Sequence, residues 1–170
     1  NWSSWRLYWR HTKHCYFACF EINMRLLIDG DACPNKEEVK NLAQKYGIEM
    51  IVFADYAHLL EDDYYHVVHC EVGRDSVDMQ IINQARPYDL VVTQDYGLAS
   101  LLLGKQVKVI HVSGMIINID NIDQLLMTRY ISAKQRRAQK HLKGPSKRTL
   151  EIKNKFLNTL ENLLENKDII

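Results

Sequence analysis

Two carboxylates, Asp29 and Asp31, are separated by a single glycine and directly follow a short apolar run, Leu26 to Ile28. Such a run is typical of a buried β-strand. Ligands of open α/β sheets bind at the carboxyl ends of the strands, so both acids are expected at a binding edge. Two acids this close repel each other unless a cation or a proton lies between them. The motif therefore predicts a metal site.

A second acid in the same kind of position supports this interpretation. Asp95 follows an apolar segment, residues 88–93, that ends in Thr93. The strands that carry Asp29 and Asp95 would be the first and the fourth, which are common neighbours in doubly wound sheets, so their ends can converge. Either acid alone could be an ordinary turn or cap residue. Their joint occurrence, with Asp31 beside the first, favours metal binding.

Two more acids, Asp75 and Asp78, lie three residues apart in the first turn of a predicted helix and therefore on one face of it. Acids are favoured at helix N-termini, so Asp75 could equally be a plain N-cap. Oxygen ligands without a His or Cys cluster indicate Mg²⁺ or Mn²⁺ rather than Zn²⁺. The candidate metal ligands share one predicted edge of the sheet: Asp29, Asp31, Asp75, Asp78 and Asp95.

Cations of this kind usually act on phosphate groups, where they activate a water molecule and stabilise the leaving oxygen. The sequence contains no Walker loop, no glycine-rich dinucleotide loop and no Ser-His-Asp order. Chemistry driven by nucleotide hydrolysis or by a catalytic triad therefore lacks support.

Alternating strands and helices must position these acids. Strands are predicted at 25–29, 48–54, 66–70, 88–93 and 107–112, and helices at 35–46, 75–86 and 96–103. This alternation predicts an α/β fold with a mostly parallel sheet and helices on both faces. Asn35 is the expected N-cap of the first helix, with Glu38 at capping-box spacing. A helical C-terminal extension, 121–140 and 147–166, is expected to complete a single domain over residues 24–170.

Residues 1–23 are rich in aromatic side chains and have no helical or strand period. We expect them to be an N-terminal extension outside the core. The cysteines Cys33 and Cys70 have no disulfide-like spacing, which favours free thiols in a reducing cytoplasm. No apolar run approaches the roughly 20 residues of a membrane span.

The charge is strongly segregated along the chain. Residues 24–128 carry sixteen Asp and Glu against eight Lys and Arg, whereas residues 129–170 carry eleven Lys and Arg against four Asp and Glu. On charge alone, a solvated helical surface is the simpler interpretation. An acidic body with a basic tail also suits a cation site beside a surface that binds the phosphates of RNA. The candidate RNA-binding residues are Arg129, Lys134, Arg136, Arg137, Lys140, Lys143, Lys147 and Arg148.

Four segments of the chain resemble the bacterial YaiI/YqxD family over residues 24 to about 165. They are 28–38, which contains the specific motif Asp29-Gly30-Asp31-Ala32-Cys33-Pro34, then 73–78, 91–99, and 121–129 together with Gly144-Pro145. The resemblance implies a PIN-like three-layer sandwich, and PIN-like domains are metal-dependent nucleases that mostly act on RNA. It implies ligand roles for Asp29, Asp78 and Asp95, extends them less directly to Asp31 and Asp75, and implies that Thr93 orients water or phosphate.

The chain departs from the family pattern in two places. Val112-Ser113-Gly114 stands where the family tends to have Arg-Gly after the fifth strand, and Lys143-Gly144-Pro145 stands where it has Gly-Gly-Pro. Both departures bear on phosphate contacts rather than on the acids.

Three functions fit these residues. The leading hypothesis is a metal-dependent nuclease with Asp29, Asp78, Asp95 and Thr93 as catalytic residues. A haloacid-dehalogenase-type phosphatase would use Asp29 as nucleophile and Asp31 as general acid. It also needs a separate lysine and a later acidic pair, and no residues after Asp95 stand out as convincing candidates for these roles. The third is a non-catalytic RNA-binding or assembly module that keeps an acidic pocket for a structural metal.

Overall fold

The computed structural model describes residues 23–55, 62–70, 76–138 and 149–166. The predictions for residues 1–22, for Asp75 and for Lys140 to Arg148 lie outside these ranges. Six strands form one sheet in the order β3-β2-β1-β4-β5-β6. Their bounds are β1 Leu26–Asp29, β2 Met50–Asp55, β3 His66–Cys70, β4 Leu90–Thr93, β5 Lys108–His111 and β6 Ile116–Ile117. The pairings among β1 to β5 are parallel, and β6 pairs antiparallel with β5.

Five helices flank the sheet in the described part of the chain. They are α1 Lys36–Tyr46, α2 Ser76–Gln84, α3 Tyr96–Leu103, α4 Ile122–Ala138 and α5 Leu150–Glu165. The order of strands and helices and the parallel pairing confirm the predicted α/β three-layer fold. The expected neighbours β1 and β4 do pair, with Ile28 opposite Val92.

The two faces of the sheet bury two separate cores, because successive side chains of a strand point to opposite faces. Leu26 and Ile28 pack in the core that contains Val39 of α1 and Phe156 of α5. Leu27 packs in the other core, whose buried members include residues of the sheet, of α2 and α3, and Ile122 of α4. Cover on both faces explains why the inner strands β1, β2 and β4 are almost continuously apolar.

A buried ion pair joins β1 to β4 at the amino edge of the sheet. The Arg25 guanidinium donates to both carboxylate oxygens of Asp89, at 3.1 and 2.6 Å, and only 8 % of Arg25 and 2 % of Asp89 is exposed. The backbone N–H of Arg86 also donates to Asp89, at 2.8 Å. The pair is therefore desolvated, and both carboxylate oxygens of Asp89 accept hydrogen bonds that stabilise this edge of the sheet.

The glycine between the two acids of the sequence motif is required by packing. A Cβ on Gly30 would lie 2.5 Å from the carbonyl oxygen of Phe53 in β2. The Gly30 N–H donates to that same oxygen at 2.7 Å, so the chain stays on the sheet for one residue beyond Asp29. This close approach fixes the direction in which Asp31 leaves the edge.

Two local predictions were wrong and one strand was missed, each for a physical reason. The strand predicted from residue 88 begins at Leu90, because Tyr88 has φ +73°, a left-handed conformation outside the strand region. The capping box at α1 does not form: Asn35 makes no side-chain cap bond, and its amide donates to Glu38, which pairs with Lys153 of α5. β6 was not predicted, since two residues leave no readable alternation.

Among the described residues, no helix is both long enough and apolar enough to cross a membrane.

Candidate active site

Thr93 connects the two strand-end acids, Asp29 and Asp95. Its Oγ1 donates to Asp29 Oδ2 at 3.0 Å and accepts the backbone N–H of Asp95, also at 3.0 Å. The Thr93 side chain has one proton to give, and because the Asp95 amide is already a donor to Oγ1, that proton goes to Asp29. Thr93 is fully buried. The predicted convergence of Asp29 and Asp95 at one edge is therefore present.

The environment of Asp29 disfavours its charge. Burial raises the pKa of this carboxyl above its ordinary value. Hydrogen bonds from Thr93 and from the backbone amides of Ala32 and Asp31 oppose that effect, and the negative charge of Asp31 adds to it. The net result is a raised pKa, so a cation bound beside Asp29 would stabilise its ionised form.

Asp95 lies in the opposite electrostatic situation. It is the N-cap of α3, and its Oδ1 accepts the backbone N–H groups of Gly97 at 2.6 Å and Leu98 at 3.1 Å. Burial, the largest single influence, pushes the pKa of Asp95 up, but these amides and the charge of Arg129 together outweigh it and lower the pKa. Asp95 is thus an ionised acid whose charge is already compensated.

Arg129 of α4 reaches this edge. Its Nη1 lies 3.1 Å from Asp95 Oδ2, with half of the Arg129 side chain exposed. The sequence predicted Arg129 only as a member of a basic tail. The structure shows that it also pairs with one of the candidate metal ligands.

The other predicted acids are placed differently. Asp31 is exposed just past Gly30, and Asp78 is half-buried in the first turn of α2. Within the described ranges, no group of three or more Asp, Glu, His or Cys side chains is arranged to hold a metal ion. The structure therefore joins Asp29, Thr93 and Asp95 directly, with Asp31 near enough to Asp29 to affect its pKa.

Several edge residues were missed in the sequence. Thr93 lies opposite His111 in the pairing of β4 with β5. The Ser113 N–H donates to His111 Nδ1 at 3.1 Å, so a neutral His111 ring has its proton on Nε2. The His111 ring also lies 5.6 Å from that of Tyr96. The position of His111 near the end of the predicted strand 107–112 could have identified it. The other parallel strands also end in a polar residue or a thiol.

The amide of Gln94 ties the two acidic loops together. Its Nε2 donates to the carbonyl oxygen of Ala32 at 2.8 Å, although residues 32 and 94 lie on separate strand-to-helix loops. This bond fixes the Asp29–Asp31 loop relative to the end of β4.

Of the basic residues expected to bind RNA, the described ones lie on α4. Lys134, Arg136 and Arg137 are exposed, as is Arg129. Lys140, Lys143, Lys147 and Arg148 fall outside the described ranges.

Comparison with known proteins places the chain in a family. Residues 27–166 match the family model described as "Uncharacterized BCR, YaiI/YqxD family". Among curated proteins, the UPF0178 protein of Clostridium kluyveri is 44% identical over 143 residues, which cover 84% of this chain and 94% of that protein. The UPF0178 protein of Lachnoclostridium phytofermentans is 42% identical over 145 residues, covering 84% and 97%.

Among solved structures, a crystal structure of Rae1 (YacP) from Bacillus subtilis has a TM-score of 0.39 and 15% identity, covering 86% of this chain and 98% of that one. A likeness this slight supports no statement about the site. The matched family model and the relatives that align over most of their length are decisive: the chain belongs to the YaiI/YqxD family.

Proposed function

We propose that this protein is a divalent-metal-dependent phosphodiesterase that acts on RNA, with Asp29 as its central acid. The observation that carries the proposal is the bridge from Asp29 through Thr93 to Asp95 at the carboxyl edge of the sheet. Ligands of open α/β sheets bind at that edge.

The donor chemistry fits Mg²⁺ or Mn²⁺. Magnesium usually keeps several waters and is held by one or two carboxylates together with substrate phosphates. Asp29 and Asp31 supply two such carboxylates, one half-buried with a raised pKa and one exposed beside it. In this proposal Asp78, and Asp75 of the preceding segment, add acid from the start of α2. The cation would supply water activation and stabilisation of charge on the phosphate.

Thr93 acts on the substrate through Asp29. By donating to Oδ2 at 3.0 Å, it supports the carboxylate with a partly buried hydrogen bond and restricts its orientation. Groups that hold a ligating carboxylate in this way tune metal affinity without touching the metal.

Arg129 brings positive charge to an otherwise acidic edge. Asp95 holds one nitrogen of its guanidinium, and a guanidinium has five N–H donors in a planar fork. The remaining donors suit a phosphate oxygen. Asp95 therefore positions Arg129, and the guanidinium charge beside Oδ2 would weaken direct ligation of a cation by Asp95.

RNA is proposed because basic side chains continue from Arg129 along α4. Lys134, Arg136 and Arg137 are exposed and can neutralise backbone phosphates, which dominate the affinity of proteins for nucleic acids.

One observation favours a second candidate, an RNA-binding module without catalysis. Asp95 is already compensated by Arg129, and the part of the chain that the structure describes holds no cluster of three metal-ligating side chains. Such a protein would bind a cation and RNA without cleaving it.

Cleavage distinguishes the two candidates. The full chain is incubated with labelled RNA and DNA pools and Mn²⁺ or Mg²⁺, beside Asp29→Asn and the control Asp63→Asn. Asp63 is an exposed acid before β3, at the other end of the sheet. We expect metal-dependent RNA cleavage by the wild type and by Asp63→Asn and none by Asp29→Asn. Equal products from all three would refute the proposal, and RNA binding without cleavage would favour the module.

A further inference from the structure

The outward face of α4 combines exposed apolar side chains with exposed cations. Met127 is 59 % exposed, Tyr130 65 % and Ile131 46 %. These three residues do not contribute to either core, whereas Ile122, Leu125 and Leu126 on the inner face of the same helix pack against the α2–α3 side of the sheet. An exposed apolar cluster of this kind marks an interaction site more often than a solitary surface residue does.

The cations belong to the same face. Lys134 and Arg137 follow Tyr130 by four and seven residues, the spacing that places side chains on one side of a helix. From Met127 to Arg137 the face is about 15 Å long. A few stacked nucleotides, at roughly 3.4 Å each, occupy that length.

We propose that the Met127–Tyr130–Ile131 face of α4 is a nucleobase-stacking surface, with Lys134 and Arg137 holding the adjoining phosphates. This inference rests on the proposed RNA substrate and makes it more specific. Aromatic side chains stack on bases of any identity, and such stacking is a main source of affinity for unpaired strands. In a duplex the base faces are already stacked on one another, so no base face is free to stack on the ring of Tyr130.

Charge argues against a second copy of the chain on this face. Two α4 faces brought together would bury or crowd four cations, Lys134 and Arg137 of each copy, with Asp123 as the only acid of the helix to offset them, whereas a polyanion neutralises these cations directly. A polyanion with apolar ring faces satisfies both components of the surface.

The surface and the acidic edge share one turn of α4. Arg129, one residue before Tyr130 on this helix, pairs with Asp95 at the edge. An RNA strand stacked on Tyr130 would therefore have its phosphates within one helical turn of Arg129, and we infer that the substrate presents unpaired bases near the scissile phosphate.

Binding measurements test the surface apart from any chemistry. The full chain is titrated, in EDTA to prevent cleavage, with a short labelled single-stranded RNA and with the same strand annealed into a duplex. We expect Tyr130→Ala to weaken single-strand binding by roughly 5- to 150-fold while leaving duplex binding nearly unchanged. Tyr130→Phe should bind like the wild type because the ring is retained.

Two further variants separate stacking from charge and from surface exposure. Lys134→Ala should weaken the binding of both the single-stranded and the duplex RNA, and it should reduce the salt dependence of binding by about one unit of slope. Ile119→Ala, which alters an 80 % exposed apolar residue outside α4, should change neither affinity.

The stacking surface is refuted if Tyr130→Ala binds single-stranded RNA like the wild type, if it loses single-strand and duplex binding equally, or if the wild type binds neither RNA. The nuclease proposal fails separately: a chain that shows the Tyr130 effect but never cleaves RNA keeps the surface and loses the enzyme. If Asp29→Asn abolishes cleavage but Tyr130→Ala has no effect on binding, the nuclease proposal stands and the stacking surface is refuted.

Discussion

Arg129 Nη1 lies 3.1 Å from Asp95 Oδ2, so a residue of the basic C-terminal region reaches the acidic edge of the sheet. The segregated charges of the sequence therefore meet at one place in the fold. A metal cation bound at Asp95 would therefore compete with the Arg129–Asp95 ion pair. The contact also places a guanidinium within the candidate site.

Arg129→Ala should separate these two effects. Removing the guanidinium leaves Asp95 Oδ2 without its countercharge, so affinity for Mn²⁺ is expected to rise. Affinity for RNA is expected to fall, and its salt dependence to weaken by about one unit of slope. Calorimetric titration with Mn²⁺ and RNA titrations at several salt concentrations measure both. Unchanged cation affinity would show that the metal does not use Asp95.

Asp95 should make stability depend on acid pH. Burial pushes its pKa up, but the α3 amides and Arg129 outweigh burial, so the folded-state pKa lies below the unfolded one. Its charge then stabilises the fold above the unfolded pKa, and that contribution is lost as pH falls through the folded pKa. Asn caps a helix about as well as Asp, so Asp95→Asn should keep the cap and lose the pH dependence, whereas Asp95→Ala should cost about 1 kcal/mol more.

Urea unfolding of both variants between neutral and acid pH checks this. If Asp95→Asn shows the same acid dependence as the wild type, other carboxyls are responsible.

The buried pair at the amino edge should matter far more for stability than an exposed one. Asp89→Ala leaves Arg25 buried without its countercharge, which is expected to cost about 3–5 kcal/mol. The exposed pair of Lys45 with Glu161 provides the control, because water and salt screen an exposed ion pair, so Glu161→Ala should destabilise the protein far less. Urea unfolding at neutral pH compares the two, and similar losses would contradict the assigned role of the buried pair.

The sequence predicted the strand order near the site and the convergence of Asp29 with Asp95, because both depend on simple patterns. Apolar runs that end in acids identify strand ends, and alternating strands and helices imply parallel pairing. The helices 36–46 and 96–103 also agree closely with the predicted ranges. What was confirmed is the part of the fold that local patterns determine.

The parts that were missed depend on contacts between distant residues. Glu38 was predicted to form a capping box, but its carboxylate instead forms an ion pair with Lys153, which is distant in the sequence. Arg129 was assigned to phosphate alone, since nothing in the spacing shows that α4 brings it to Asp95. His111 was overlooked because its place beside Thr93 is visible only once β4 and β5 are paired.

The most direct test of the proposed site is the effect of Mn²⁺ on the melting temperature of the wild type and of Asp29→Asn. Burial raises the folded-state pKa of Asp29, so the penalty for its charge is absent below the unfolded pKa and grows as pH rises through the folded pKa. At neutral pH Asp29→Asn, whose amide oxygen still accepts from Thr93, should therefore melt higher than the wild type without metal. Added Mn²⁺ should stabilise the wild type by mass action and leave Asp29→Asn unchanged. Equal metal-induced shifts in the two proteins would contradict a metal site at Asp29.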